Sequence, residues 1–561
     1  MSVVSCSAQQ LFLINYLYRV LIQLKHNQPF MAKIHNNNLN LLIYFLLFSN
    51  QFPIYLFQKP TQDSLISCLN NHKLTNYSTQ SSSNFHHLHR FSLQNLRAKR
   101  FPHPYAIILP ETKEQLISTI LCCRKSSLEI QIRGGGHSYE GISSMPRGSN
   151  PFVIIDMMNL NRVIVNVESE TAWVEGGATL GELYTAIAEK GSGYGFPAGV
   201  GPTVGVSGHF SGGGIGVMSR KYGLSADNVV DIGLIDAEGR DLGRAEMGED
   251  VFWAVRGGGG GNFGIVYKWK VQLVKVPQRV TCFRVTKQGP NNHELAKLMY
   301  KWQFIAPKLE DDFYLAIYLT NGANKEVYVT FLGFYLGSKT EAMSVKNREF
   351  PELAIEEEEY REMSWIESVL YFSNLPNEST IHDLKSRYFV GKSCIKTKSD
   401  YVRDYVSVKG LEGMLDMVAL EPNGLVILDP YGGIMDRIEI DAIPFPHRKG
   451  NLYNILYVAF WREEDGEDRY LSWVRRFYEY MTPFVTATPR GAYVNYVDLD
   501  LGTVDAIEDG NIVEKAKSWG EKYFISNYDR LVKAKTIIDP HNVFNHIQGI
   551  YPANVQYHDE L

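Results

Sequence analysis

The sequence predicts an α+β protein with two domains, and three observations support this prediction. At 561 residues the chain is longer than one hydrophobic core usually serves. Glycine-rich sequence ends near Val274-Lys275-Val276-Pro277 and gives way to about two hundred residues that carry many aromatic and charged side chains. Strand-like runs separated by helical stretches in this second region indicate an antiparallel sheet with helices on one face.

The individual elements follow from hydrophobic periodicity and helix start signals. The glycine-rich region is expected to form strands at 106–110, 128–132, 152–156 and 172–175. It is expected to form helices at 112–121, with Glu111 and Glu114 in the first turn, and at 179–190, capped by Thr179 with Glu182 three residues later. The second region is expected to form strands at 313–319, 327–336, 425–428 and 452–461 and helices at 293–303 and 465–481.

The two ends of the chain are predicted to carry targeting signals. Residues 1–57 are poor in acidic side chains, and a charged start at Met31-Ala32-Lys33-Ile34-His35 followed by an apolar centre resembles a secretory signal. An organelle-targeting or interfacial segment is the alternative, and both apolar stretches are short for a membrane span. His558-Asp559-Glu560-Leu561 matches an endoplasmic reticulum retrieval signal. We therefore expect the endoplasmic reticulum lumen, with the vacuole or the extracellular space as alternatives.

Composition excludes several function classes. The net charge of −5, without a dense Lys/Arg stripe, argues against nucleic-acid binding and favours a small-molecule substrate. Six cysteines are too few for a disulfide framework, although one bridge is plausible. His209 and His447 lack the partner spacing of a metal site, so we assign no metal.

The run 133–141, Arg-Gly-Gly-Gly-His-Ser-Tyr-Glu-Gly, points to a cofactor that contains a pyrophosphate. Glycines let the main chain approach two phosphates closely, and His137 could then reach the ring system of the same cofactor. The sequence after these glycines lacks the pattern of a nicotinamide-binding Rossmann unit, which we reject. The five consecutive glycines at 257–261 are explained best by close passage of the chain beside the cofactor.

Four blocks of sequence together resemble the flavin domain of the plant berberine bridge enzyme-like oxidases, in the vanillyl-alcohol oxidase superfamily. These blocks are 133–141, 196–216, 222–228 and 256–264, and the resemblance extends over roughly residues 64–552. It implies a PCMH-type FAD-binding fold. Between the predicted targeting region at 1–57 and the predicted retrieval signal at 558–561, we expect an FAD-binding domain at 58–276, a substrate domain at 277–489 and a C-terminal return to the FAD domain at 490–557.

The resemblance implies FAD bonded covalently through His137. The family's second tether, a cysteine, is replaced here by Gly201, so a single link is expected. Val204 occupies the position that gates dioxygen, and a valine there favours oxidase behaviour. Gln548 lacks the acidic neighbour that relatives usually place before it. The predicted cofactor-binding set is Arg133, Gly134, Gly135, Gly136, His137, Ser138, Gly201, Val204, Gly205, Gly208, His209, Gly213, Gly214, Asn495 and Gln548.

The resemblance also implies a catalytic set. Tyr496 is expected to remove a proton, although a phenol with an unperturbed pKa of about 10 must be shifted or act as a hydrogen-bond donor. Tyr139 and Asn454 are expected to orient the substrate, and Leu456 to form an apolar wall. Relatives place Glu, Lys or Gln on this strand, so a carboxylate base on it is not expected.

One disulfide follows from the resemblance, between Cys68 and Cys122, with the adjacent Cys123 as the open alternative. Cys282 and Cys394 are expected to be buried free thiols. Asn76 and Asn377 begin glycosylation sequons.

These features predict an FAD-dependent oxidase of plant specialised metabolism. A hydride would pass from a phenolic, prenylated or alkaloid substrate to flavin N5, dioxygen would accept the electrons to give hydrogen peroxide, and ring closure could follow. The alternatives are a non-redox cyclase of the Diels–Alder type that uses the flavin as a scaffold, an oligosaccharide oxidase, and a non-enzymatic binding protein. The sequence does not indicate an oligomeric state.

Overall fold

The computed structural model describes residues 62–148, 150–289, 291–322, 324–504 and 512–553. The predicted targeting region and the retrieval signal lie outside these ranges. Pro60–Leu561 form one compact unit, so the domain boundary near residue 276 stays a prediction. None of the helices in the described ranges has both the length and the apolar character needed to traverse a lipid bilayer.

A four-stranded sheet begins the fold. Its strands are β1 (Tyr77–Thr79), β2 (Ala106–Ile108), β3 (Glu129–Arg133) and β4 (Phe152–Asp156). They lie in the order β1-β2-β4-β3, with β2, β4 and β3 parallel and β1 antiparallel at the edge. The helices Gln62–Asn71 and Lys113–Lys125 share one apolar core with this sheet. These elements confirm the predicted strands, as expected where a parallel sheet is buried on both faces.

The disulfide joins the two helices beside this sheet. Cys68 and Cys122 are bonded, with their Cα atoms 5.7 Å apart. Cys123 is a buried free thiol, as are Cys282 and Cys394. The structure therefore decides between the two pairings that the sequence left open.

A five-stranded antiparallel sheet follows in the order β5-β6-β10-β8-β9. Its strands are β5 (Val163–Asn166), β6 (Thr171–Glu175), β8 (Val229–Ile235), β9 (Asp241–Leu242) and β10 (Ile265–Gln272), and a separate pair is formed by β7 (Tyr194–Gly195) and β11 (Val274–Lys275). Helices between these strands span Leu180–Ala188, Val206–Ser211, Ser219–Tyr222 and Arg244–Val255.

A seven-stranded, wholly antiparallel sheet forms the remainder, in the order β15-β12-β14-β13-β17-β18-β16. The strands are β12 (Val280–Lys287), β13 (Phe313–Asn321), β14 (Val327–Tyr335), β15 (Arg361–Met363), β16 (Cys394–Val402), β17 (Gly424–Pro430) and β18 (Tyr453–Trp461). One face packs against the helices Asn292–Ile305, Lys339–Glu349, Val408–Val418 and Asp468–Tyr480. This arrangement confirms the α+β class and the sheet covered by helices; the helix Trp365–Phe372 packs in the core of the preceding region.

The C-terminal part of the chain packs back on the glycine-rich region. After short turns at Val494–Tyr496 and Leu499–Leu501, the helices Ile512–Phe524 and Tyr528–Ile538 join the core that also contains the helix Arg244–Val255.

The helix start signals in the sequence predicted two helices of the glycine-rich region, but the predicted and observed helix ends differ. Thr179 and Glu182 form the predicted capping box of Leu180–Ala188. The helix predicted at 112–121 runs from Lys113 to Lys125, with Thr112 as its cap and Glu114 in its first turn. Glu111 lies before the cap, so its placement in the first turn was wrong.

Candidate active site

Two glycine loops lie back to back at the centre of the candidate site. A Cβ atom at Gly135 would approach the backbone N of Gly205 to under 3.0 Å, and one at Gly205 would approach the backbone N of Gly135 equally closely. Gly136 has φ +71°, and its position would bring a Cβ against the carbonyl of Ser92. Only glycine allows this close approach.

The opposite side of these loops is open. A Cβ at Gly134 would have its nearest neighbours at 3.9 Å or more, and one at the exposed Gly208 would meet nothing within 4 Å. Gly260 lies beside Gly208, because a Cβ on Gly260 would be 3.9 Å from the Gly208 Cα. Bare backbone is therefore accessible at Gly134 and at the neighbouring Gly208 and Gly260, which fits a cofactor that contains a pyrophosphate.

His137 follows the first loop and is held by a hydroxyl. Its Nε2 atom lies 2.8 Å from Thr203 Oγ1, and its ring packs edge-on against Phe389 at 5.0 Å. Burial, with the nearby charge of Lys392, lowers the pKa of His137 to about 4. The imidazole is therefore neutral near pH 7 and keeps one unprotonated ring nitrogen.

The residues that flank His137 hold the loop in place. The buried Arg133 pairs with Asp156 at 2.8 Å and donates to the Leu88 carbonyl at 3.0 Å, so its guanidinium is committed to the protein. Ser138 Oγ accepts a hydrogen bond from the Ile142 N–H at 3.2 Å.

Gly201 and Val204 form a tight turn opposite His137. The Val204 N–H donates to the Gly201 carbonyl at 3.2 Å. A Cβ at Gly201 would lie 3.1 Å from Val204 Cγ2, and both residues are half-buried. The turn also carries Thr203, the partner of His137.

A second polar cluster surrounds His209. Its Nε2 accepts the Gly199 N–H at 3.0 Å, which places the ring proton on Nδ1, and burial lowers its pKa to about 4. Asn495 Nδ2 donates to the His209 carbonyl at 2.9 Å and to the Tyr493 hydroxyl at 3.0 Å. Because the same hydroxyl accepts the Gly214 N–H at 2.9 Å, the cluster ties the glycine-rich region to the C-terminal segment.

Two further predicted cofactor ligands have structural partners. Gly213 has φ +115°, and a Cβ there would lie 3.2 Å from Leu224 Cδ1. Gln548 accepts from the Tyr523 hydroxyl at 2.9 Å and donates to the carbonyls of Asp498 and Gly502. Its amide is thus engaged within the C-terminal segment, while its contact with the cofactor stays a prediction.

The predicted catalytic residues lie together on the face of the seven-stranded sheet away from its helices. The rings of Tyr139 and Tyr496 meet edge-on at 5.7 Å, and Tyr493 lies 4.8 Å from Tyr496. Leu456 belongs to the same apolar cluster, and Asn454 lies two residues earlier on the same strand. Side chains alternate along a strand, so Asn454 and Leu456 share this face.

Both tyrosines hold their protons firmly. Burial, with the negative charge of Asp429, raises the pKa of Tyr139 to about 12 and that of Tyr496 well above its usual value. The shift of Tyr496 is opposite to the one a general base needs. In this geometry the two phenols are neutral hydrogen-bonding groups.

Comparison with known proteins decides the family. Residues 104–242 match the family model of the FAD binding domain, and residues 492–551 match the model of berberine and berberine-like proteins. Berberine bridge enzyme-like D-1 of Nicotiana tabacum is 52% identical over 521 residues, which cover 88% of this chain and 92% of that protein. The chain belongs to the berberine bridge enzyme-like family.

A second relative and a solved structure agree. The reticuline oxidase of Eschscholzia californica is 48% identical over 507 residues, covering 88% of this chain and 93% of that protein. The structure of berberine bridge enzyme from the same plant superposes with a TM-score of 0.84 at 48% identity and covers 88% of this chain and 100% of that one. This berberine bridge enzyme-like chain is an FAD-linked oxidoreductase with the fold that the resemblance implied.

One residue of the site was missed by the sequence analysis. Asp429, near the end of β17, lies opposite Asn454 of β18, and its Oδ1 accepts a hydrogen bond from the Tyr314 hydroxyl. Burial raises the pKa of Asp429 to about 6, and the Tyr314 hydrogen bond offsets part of that effect. The predicted strand ended at residue 428, and the sequence before Pro430 gave no signal for which face this carboxylate takes.

A cleft of about 620 Å³ borders the catalytic cluster. Leu425 and Phe460 belong both to its lining and to the cluster of Tyr139, Leu456 and Tyr496. The cleft therefore adjoins the cluster at the start of β17 and the end of β18, whereas Asp429 and Asn454 lie at the opposite end of this strand pair.

Proposed function

We propose that this chain is an oxidase that uses dioxygen and acts on an alkaloid or a related phenolic compound of plant specialised metabolism. The observation that carries the proposal is the placement of Tyr139, Tyr496 and Leu456 on a sheet face beside the loop that bears His137. The reticuline oxidase activity of relatives points to an alkaloid. When bound, FAD supplies a two-electron acceptor that dioxygen can reoxidise to yield hydrogen peroxide.

The glycine loops would hold the cofactor. The main chain near Gly134, Gly208 and Gly260 carries no side chain that would block a ligand, and its N–H groups would bind the pyrophosphate. His137, neutral and held by Thr203, would carry the covalent link to the flavin ring. Gly201 offers no sulfur for a second link.

The tyrosines and the apolar wall would orient the substrate. Tyr139 and Tyr496 keep their protons, so each would donate a hydrogen bond to a substrate oxygen or nitrogen. Leu456, at 3% exposure, would exclude water from the reacting carbon. Asn454 is fully buried, and neither of its amide atoms has a hydrogen-bond partner within the described protein, so a substrate could use both.

Product mass tests the reaction type. Purified holoprotein would be incubated with reticuline, with a neutral prenylated phenol and with an oligosaccharide, while hydrogen peroxide is measured. We expect loss of two hydrogens from the alkaloid, matched by one hydrogen peroxide. An isomer without hydrogen loss would instead indicate the cyclase, peroxide release with the oligosaccharide alone would indicate the sugar oxidase, and a flavin that no compound reduces would indicate a binding protein.

Acid denaturation tests the covalent link. Flavin should stay with the wild-type polypeptide after acid precipitation and be released from His137→Ala. His447→Ala provides a control, because His447 is a buried histidine stacked on Tyr401 at 4.0 Å and should not affect the link. Release of flavin from the wild type would refute the link without refuting the oxidase.

We further propose that the protein enters the secretory pathway and is retained in the endoplasmic reticulum. Support comes from the Cys68–Cys122 disulfide, which requires an oxidising compartment, and from the exposed Asn377 in its sequon. Deletion of residues 558–561 should move a tagged protein out of the endoplasmic reticulum. Unchanged retention would show that His558-Asp559-Glu560-Leu561 is not read as a signal.

A further inference from the structure

We propose that the Asp429 carboxylate binds the positively charged nitrogen of an organic amine and thereby selects cationic amines over neutral compounds of similar shape. The inference rests on the proposed function, because it assumes that the substrate lies against the sheet face that carries Tyr139, Tyr496 and Leu456. It deepens that function by naming the charge of the substrate and the residue that recognises it.

The register of the sheet places Asp429 on the substrate face. On β17, Val426 and Leu428 pack with the helices, whereas Leu425 and Ile427 pack with Tyr139 and Leu456. Side chains alternate along a strand, so Asp429 points to the same side as Ile427. In the register of β17 with β18, Asp429 lies directly opposite Asn454, and Ile427 lies directly opposite Leu456. On this sheet face, the Asp429 carboxylate therefore lies next to the pair formed by Ile427 and Leu456, and Leu456 is the predicted apolar wall of the substrate site.

The carboxylate has no counter-charge in the described protein. Eight acidic residues are buried there, and seven of them pair with a lysine or arginine: Glu140, Asp156, Asp236, Asp400, Glu421, Asp498 and Asp539. Asp429 is the eighth, and within the described residues no cationic side chain lies within ion-pair distance of it. Buried carboxylates normally have such a partner. A ligand can supply the missing cation.

The surroundings of Asp429 suit an organic cation. Tyr139, Tyr318 and Tyr496 all lie close enough for its charge to raise their pKa values, and aromatic faces attract cations. Tyr314 already donates to Oδ1 and thereby orients the carboxylate. Asn454, buried and without a hydrogen-bond partner, adds an amide oxygen at the same place. A neutral ligand would leave the carboxylate unpaired, so charge discriminates between the two classes.

The test compares two probes of similar shape on the flavin-loaded holoprotein. N,N-dimethyl-1,2,3,4-tetrahydroisoquinolinium is permanently cationic and has no lone pair for oxidation, whereas isochroman is neutral. Binding is followed by calorimetry and by the change in the flavin absorption spectrum. We expect the wild type to prefer the cation at least about tenfold, the effect of one good charge pair. Asp429→Asn should remove this preference by weakening the binding of the cation.

Two further variants separate recognition from a general charge effect. Asp429→Glu keeps the charge and should keep most of the preference. Asp404→Asn removes the same charge from an exposed position and should bind both probes like the wild type. Equal affinity of the wild type for the two probes would overturn the proposal even if Asp429→Asn failed to fold. An unchanged preference for the cation in Asp429→Asn would also overturn the proposal. The same holds if the wild type binds neither probe although a substrate reduces its flavin. A protein that no substrate reduces but that keeps the cation preference would contradict only the proposed oxidase.

Discussion

At the scale of single residues, the role proposed for Asp429 would oppose stability. Burial raises the pKa of its carboxyl to about 6, above the usual value of 3.8, so the folded state holds the proton more tightly than the unfolded state. The folded state therefore loses stability as the pH rises from about 4 through about 6, and stability changes little above that range. The loss is on the order of 3 kcal/mol.

Asp429→Asn should therefore stabilise the protein. We expect a higher melting temperature than that of the wild type at pH 8 and little difference at pH 3, where the carboxyl is protonated in both the folded and the unfolded state. The facing phenols of Tyr314, Tyr318 and Tyr496 stay protonated throughout this range, because their pKa values are raised. Differential scanning fluorimetry at the two pH values measures this effect. A variant that is less stable at pH 8 would show that the carboxylate has a counter-charge within the protein.

Gly201 is the second residue whose identity should alter the chemistry of the site, if the flavin binds as proposed. Gly201→Cys should restore the second flavin tether that the resemblance describes, because the position has room for a small side chain, with only Val204 Cγ2 at 3.1 Å from the added Cβ. Digestion should then yield one flavin that joins peptides containing His137 and residue 201, together with a higher flavin reduction potential. Gly201→Ser has nearly the same size without the thiol and should retain a single link. A single link in both variants would place Gly201 away from the flavin ring.

At the scale of elements, the helix Val206–Ser211 tests whether bare backbone is required by the cofactor or by the fold. Gly208 has no atom within 4 Å of an added Cβ, so the protein itself does not require glycine there. Alanine in a helix is favoured over glycine by about 1 kcal/mol. We expect Gly208→Ala to leave the apoprotein as stable as the wild type or more so, but to lower flavin occupancy and slow flavin binding.

Gly466→Ala is the matched control for Gly208→Ala, because it makes the same change at a position away from the candidate site. Gly466 also has no atom within 4 Å of an added Cβ and lies in an exposed loop, so Gly466→Ala should change neither stability nor flavin content. Full flavin occupancy in Gly208→Ala, measured by absorbance per protein, would show that the cofactor does not pass this position.

One helix and one strand show which elements of secondary structure can be predicted from the sequence and which cannot. The helix Leu180–Ala188 was predicted because its start signal is local: Thr179 and Glu182 bond each other's backbone within one turn. The strand β16 was not predicted, although all nine of its residues are buried, because Lys396, Lys398 and Asp400 suggest an exposed segment. Their partners are distant in the chain, so no local pattern reveals that these charges are neutralised.

The same distinction applies to the site. Glycines, His137 and Tyr496 stand in recognisable motifs, and the structure places Tyr139, Tyr496 and Leu456 together. Asp429 stands in no motif, and its importance depends on the register of β17 with β18 and on the lack of a nearby cation.

At the scale of the whole molecule, a buried ionic network joins the cofactor loop, the seven-stranded sheet and the C-terminal segment. Lys396 of β16 pairs with Glu140, three residues after His137, and with Asp498 at 2.6 Å. Lys398 pairs with Asp498 at 2.7 Å and with Asp500 at 2.9 Å. The three parts are therefore coupled through charges that are buried, except for Asp500, which lies at the surface.

Removing one member should leave uncompensated charge in the interior. We expect Lys396→Met to cost roughly 3 kcal/mol, the lower end for a broken buried pair, and to lower flavin occupancy through Glu140. Lys99→Met removes the charge of a lysine that pairs with the exposed Glu463 and should cost about 1 kcal/mol or less. Melting temperatures of the two variants measure this difference; similar values would mean that the network adds no stability beyond that of a surface pair.

The network also predicts how the molecule responds to acid. Burial would raise the pKa of Asp500, but the hydrogen bond from Arg475 and the charges of Lys396 and Lys398 outweigh burial and hold it well below its usual range. The folded state thus binds this proton more weakly than the unfolded state, so the stability due to Asp500 is present above pH 4 and is lost as the pH falls further. Asp500→Asn should be less stable than the wild type at pH 6, and the gap should narrow below pH 4. Because Asp429 contributes in the opposite direction between pH 4 and 6, the Asp429→Asn background isolates the response of Asp500. A gap that stayed constant down to pH 2 in that background would show that Asp500 stabilises the fold by packing instead of by charge.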